Sequence, residues 1–89
     1  MKLAATEEVS LQPEDNHRLA NLCGLHNDHL KLIEERLGLS LNNLGHKFFI
    51  TGTPASSQLG VKLITQLYAL SADEQLTPEK IHLYLQEAQ

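Results

Sequence analysis

The chain has 89 residues, a formal charge of −4, 18 leucines, only four aromatics and no tryptophan. This length suits one small domain, which buries only about 60–65% of the surface its unfolded chain exposes. The lone cysteine, Cys23, excludes an internal disulfide and a paired-cysteine zinc site, and no apolar run approaches the roughly 18 residues of a membrane span.

Met1-Lys2-Leu3-Ala4-Ala5 begins positively, but Thr6-Glu7-Glu8 ends it before a signal-peptide core forms. Residues 1–6 are therefore expected to be a tail, and 7–89 a single domain of a reducing compartment, the cytoplasm. In Glu7-Glu8-Val9-Ser10-Leu11 the apolar residues alternate, which predicts a short strand over 7–11. Pro13 then opens a helix as its first residue, with Glu14 and Asp15 in the first turn, where acidic side chains suit the positive helix end. Leu19, Leu22 and Cys23 form its apolar stripe and Gly24 ends it.

Asn27 or Asp28 caps a second helix with Leu30, Ile33 and Leu37 on its core face. Lys31, Glu34, Glu35 and Arg36 take its solvent face, and Gly38 stops it. Alternation in 39–43 and 47–51, around turn chemistry at 42–45, predicts a hairpin with Leu39, Leu41, Phe48 and Ile50 inward. Gly52-Thr53-Pro54 launches a long helix carrying Leu59, Leu63, Ile64, Leu67 and Leu70. Gly60 within it predicts close packing against a neighbour. Thr77-Pro78-Glu79 opens a last helix with Ile81, Leu85 and Ala88 on one side. The order is β-α-α-β-β-α-α, with helices from two stretches of chain covering one face of a three-stranded sheet. That is an α+β two-layer sandwich with a mostly antiparallel sheet, in the order of the small RNA-binding KH module plus one helix.

Charge along the chain argues against a protein that grips duplex DNA. Residues 1–13 carry −1, 14–37 carry −2, 38–70 carry +2 and 71–89 carry −3, so no dense basic stripe exists. Catalytic signatures are missing too. Gly45-His46-Lys47 and Gly60-Val61-Lys62 lack the glycine spacing and the Lys-Ser/Thr ending of a P-loop, and no G-x-S-x-G elbow occurs. No catalytic residue is assigned. Cys23, His26 and His29 form C-x-x-H-x-x-H, but Gly24 interrupts the helix between the first two, and loop and surface histidines are the simpler reading. No metal ligand is assigned. The joint Gly24-Leu25-His26-Asn27 corresponds in place to the G-x-x-G loop of KH domains, with Asn27 at the second glycine. Arg18, Gly24, Leu25, His26, Asn27 and Lys31 are accordingly the candidate RNA-binding residues, against a plain helix–turn–helix joint.

The run Asn16-His17-Arg18-Leu19-Ala20-Asn21-Leu22-Cys23-Gly24, then Leu30 and Ile33-Glu34-Glu35-Arg36-Leu37-Gly38, resembles the N-terminal domain of bacterial PhoH-like ATPases of the YbeZ type. Phe48-x-Ile50-x-Gly52, Leu67-Tyr68-Ala69-Leu70 and Leu76-Thr77-Pro78-Glu79 extend the resemblance over roughly 7–88. The resemblance implies a KH-like, non-catalytic module of an ATP-binding protein linked to RNA metabolism, ribosome maturation and, through a relative, phosphate starvation. It places ATP and Mg²⁺ in a following P-loop domain that these 89 residues do not include, and leaves this segment without a cofactor. It implies weak contact with single-stranded RNA, with no membrane partner. The competing reading is a docking or oligomerisation domain for the ATPase or for a YbeY-type endoribonuclease, drawing on Leu32, Phe49, Leu83 and Tyr84.

Overall fold

A computed structural model describes residues 4–88. The leucine-rich stripes fold as β1 (Ala5–Ser10), α1 (Asn16–Cys23), α2 (Asp28–Leu37), β2 (Ser40–Leu44), β3 (Lys47–Gly52), α3 (Pro54–Leu70) and α4 (Pro78–Ala88). A short turn, Leu25–Asn27, joins α1 to α2. The sheet runs in the order β1-β3-β2 and both pairings are antiparallel. This is the α+β architecture and element order expected.

Register explains which face is covered. Val9 lies opposite Phe48 on β3, and Leu41 opposite Ile50, so these four share the face on which the helices pack. Phe48 and Ile50 are fully buried there with Ile33, Leu63, Leu67 and Leu85. The other face carries Thr6, Glu8, Ser40, Asn42, Lys47 and Thr51 around a half-buried Phe49.

Gly60 makes the close approach of α3 possible. A Cβ there would lie 2.9 Å from Ile50 Cγ2 and 2.9 Å from Leu39 Cδ2. The start of α3 follows its signal, with Thr53 accepting from the Ser56 amide and Pro54 first in the helix. Asn21 on α1 fixes the path into α4. Its Nδ2 donates to Ser71 O (3.1 Å) and Glu74 O (2.7 Å), while its Oδ1 accepts from the Leu76 amide (2.8 Å).

Three expectations need correction. The first strand covers Ala5–Ser10 rather than 7–11, so residues 5 and 6 belong to the sheet and not to a tail; residues 1–3 and 89 lie outside the described residues. Pro13 does not open α1. Asp15 caps it, accepting from the His17 and Arg18 amides at 2.9 and 3.2 Å. The reason is chemical: a carboxylate at Asp15 satisfies two free helix amides, which Gln12 before Pro13 would do less well. The segment ahead is held by other bonds, Leu11 N to His46 O (2.9 Å) and the Tyr68 hydroxyl to Pro13 O. Finally, Leu19 is only half-buried, packed against the margin of the core that Leu22 and Cys23 enter fully.

Cys23 is buried, and that burial pushes its thiol above the ordinary value of 9.0. A group whose folded value is raised stabilises the fold at lower pH and loses that contribution as pH rises through the folded value. Urea unfolding at about pH 8 and pH 10 should therefore show a smaller alkaline loss in Cys23→Ala than in the native chain. Equal losses would place Cys23 in water.

Candidate functional site

The α1–α2 joint owes its shape to its residues. Gly24 stops α1 with φ 79° and ψ 177°, a conformation close to glycine-only, and its amide bonds Ala20 O. His26 (φ 53°) and Asn27 (φ 60°) follow in the left-handed region, which asparagine tolerates better than most residues and which still costs free energy. Two bonds close the turn, from the Asn27 amide to Gly24 O and from the Asp28 amide to Leu25 O.

Space over Gly24 is already filled. A Cβ there would lie 2.2 Å from Asp28 Oδ1 and 2.7 Å from His29 Cγ. The protein's own carboxylate and imidazole are thus a sufficient reason for glycine at this position. His29 is buried, and its Nδ1 lies 3.2 Å from both Asn21 O and Leu22 O. Two carbonyls around Nδ1 require that it carry the proton and donate. Reading His29 as a loop or surface residue is thus corrected: it packs under the joint and ties α2 to the end of α1. Among the described residues no group of three histidine, cysteine, aspartate or glutamate side chains is placed to hold a metal.

The six candidate residues separate into different places. Gly24 and Leu25 line a cleft of about 440 Å³ that faces Gln75–Pro78, and Leu25 is 76% exposed there. Asn27 and Lys31 line a second opening of about 370 Å³ between α2 and the edge strand β2. His26 is exposed and lines neither. Arg18 lies elsewhere, against α3. Its guanidinium carbon sits 4.3 Å from the centre of the Tyr68 ring, and Nη2 donates to Tyr68 O at 3.0 Å.

The α2–β2 groove gains residues that spacing alone did not single out. Buried Leu30 and Leu41 form its floor, and Lys31, Asn42 and Asn43 line it with them. Glu34, expected in water, is half-buried here and accepts from the Leu41 amide at 2.7 Å. Asn43 Nδ2 is committed to Gly45 O at 2.9 Å, closing the hairpin turn. Asn42 alternates to the outer face and is exposed. The groove thus offers an apolar floor, one cation, a carboxylate bonded to the Leu41 amide, and the carboxamides of Asn27, Asn42 and Asn43, the last with its oxygen free of the turn bond. Alternation within β2 marks Leu41 as inward, but nothing local to either segment pairs β2 with Lys31.

No helix among the described residues is long and apolar enough to cross a membrane. No family model matches the chain.

Proposed function

We propose that this domain is a non-catalytic module that contacts single-stranded RNA weakly through the α2–β2 groove. The observation that carries the reading is the groove's make-up: carboxamides of Asn27, Asn42 and Asn43 beside Lys31, over a floor of Leu30 and Leu41. Carboxamides match the donor and acceptor edges of splayed bases, a lysine meets phosphate as a point charge, and an apolar floor accepts a base face. Element order adds the KH likeness, and the motifs shared with PhoH-like proteins of the YbeZ type add a bacterial, cytoplasmic setting in RNA metabolism and ribosome maturation. On that reading ATP and Mg²⁺ belong to a P-loop domain outside these residues, and a YbeY-type endoribonuclease and self-assembly through the parent are the protein contacts.

Affinity is limited by charge. With a net −4 and a single lysine at the groove, binding should be on the order of 10⁻⁴–10⁻⁶ M, the range of contacts without base readout. Titrating labelled protein with a short single-stranded RNA by NMR should shift Asn27, Lys31, Asn42 and Asn43. Lys31→Glu should weaken binding and reduce the salt slope by about 0.7, the value for one phosphate on a single strand. If millimolar RNA shifts none of these amides while a YbeY-type endoribonuclease does, the module docks protein instead.

The docking reading has its own observation. Leu25 and Leu44 are each 76% exposed, and Leu83 is 54% exposed. Single exposed leucines are ordinary, so the groove is the stronger ground.

A further inference from the structure

Arg18 is a half-buried cation in an acidic chain, and no carboxylate among the described residues lies within 4.0 Å of it. The nearest acid in sequence is spent: Asp15 caps α1 through the His17 and Arg18 amides. Of the five guanidinium donors, one hydrogen of Nη2 is bonded, to Tyr68 O. Nε is buried without a partner, and Nη1 makes no bond to any described residue. Withdrawing a charge partly from water costs free energy unless an opposite charge or acceptors replace the lost hydration.

The same side chain lines a cleft of about 300 Å³ between β1, α1 and α3, the lower end of the range for small-ligand pockets. Val9, Leu11 and Ala69 give it apolar walls, and Gln12 and Thr65 add polar groups. Thr65 gives its one hydroxyl hydrogen to Val61 O, so Arg18 is the charged donor of the cleft. The guanidinium is fixed before any ligand arrives, its carbon 4.3 Å from the centre of the Tyr68 ring and its Nη2 held by the Tyr68 carbonyl. Tyr68 is in turn pinned: its hydroxyl donates to Pro13 O and accepts from the Asp15 amide at 3.2 Å. A preorganised guanidinium with free Nη hydrogens binds a two-oxygen anion through parallel hydrogen bonds, with little ordering left to do.

We propose that this cleft is a binding site for a small ligand bearing an oxyanion, a carboxylate or a phosphate, anchored by Arg18 with its apolar part against Val9, Leu11 and Ala69. The site shares no lining residue with the α2–β2 groove and stands apart from the RNA reading.

The probes are sodium butyrate and inorganic phosphate, titrated separately at constant ionic strength while NMR follows backbone amides and the Arg18 Nε–H. A saturable shift of the Arg18 Nε–H and of the Gln12 and Thr65 amides is expected with at least one probe. Which probe saturates identifies the oxyanion. Arg18→Gln should weaken that binding by about tenfold or more, the loss of one charged hydrogen-bonding partner. Arg18 also supports α3, so a second variant keeps it intact: Ala69→Phe, at an exposed α3 position, fills the cleft and should block the same shifts. Linear shifts of equal size at Lys31, Lys47 and Lys62 would mean screening alone and overturn the site. So would saturable binding that Ala69→Phe leaves unchanged. RNA titration of Arg18→Gln keeps the two readings separate, because its groove shifts should persist.

Discussion

Phe48→Ala is expected to lower the free energy of unfolding by about 3–5 kcal/mol, the range for removing a large buried aromatic. Phe48 sits on the middle strand of the sheet, opposite Val9 on one side and Asn43 on the other, and is fully buried. Its neighbours cannot collapse into the gap without shifting a strand paired on both edges, so the cavity part of the cost should persist. A domain of this length holds roughly 4–13 kcal/mol in total. The urea midpoint should therefore fall by at least about a quarter, and a native chain at the lower end of that range would be left at the edge of folding. A loss under 1 kcal/mol would mean that the β3 register places another side chain at the centre.

Gly24→Ala should cost about 2–6 kcal/mol, although it adds one methyl group at a helix end. Two effects add. A φ of 79° with ψ near 180° strains any L-residue by about 1–3 kcal/mol. The new Cβ also meets Asp28 Oδ1 at 2.2 Å and the His29 ring at 2.7 Å, and overpacking of that kind costs about 1–3 kcal/mol. Gly38→Ala is the control. Gly38 has φ 64° but nothing within 4 Å of its absent Cβ, so only the left-handed cost of about 1–2 kcal/mol applies. Thermal or urea melts of the two variants should differ by the packing part plus the extra strain of ψ 177° at Gly24 over the left-handed ψ 44° at Gly38. Equal losses would show that Asp28 and His29 swing aside freely and that Gly24 is required for conformation alone.

Where local chemistry and packing agree, elements were legible from the residues. Thr53-Pro54 and Thr77-Pro78 mark helix starts because the cap oxygen and the proline act within one turn. Gly38 marks a stop because only its own φ is at issue. Gly60 could be read as a packing site because a glycine inside a helix has little other use. The start of α1 was harder. Pro13 and Asp15 are both good opening residues, and what decides between them is remote: Tyr68 and His46 bond the Pro13–Asp15 stretch from 31 to 55 positions away.

The candidate site divides along the same line. Asn27 and Lys31 are four apart across a joint that glycine marks, so their nearness is local. Asn42 and Asn43 look like turn residues until β2 is laid beside α2. Arg18 looks like part of the α1–α2 joint until Tyr68, 50 positions on, draws its guanidinium to another cleft. His29 has the composition of a surface residue and the position of a core one, and only the carbonyls of Asn21 and Leu22 tell them apart. Side chains whose partners lie across the fold are the ones that spacing cannot assign.

The bond from the Leu41 amide to Glu34 has a bearing on self-association. β2 is an outer strand, and its free backbone donors are an invitation to a further strand from another molecule. The Glu34 carboxylate occupies one of those donors at 2.7 Å, at the second residue of a five-residue strand. A recruited strand would have to displace a charged acceptor and leave it half-buried without its hydrogen. One glutamate on a neighbouring helix thus does for this margin what a covering loop or a proline does in other sheets, and it discourages polymerisation along β2 at no cost to the leucine core behind it.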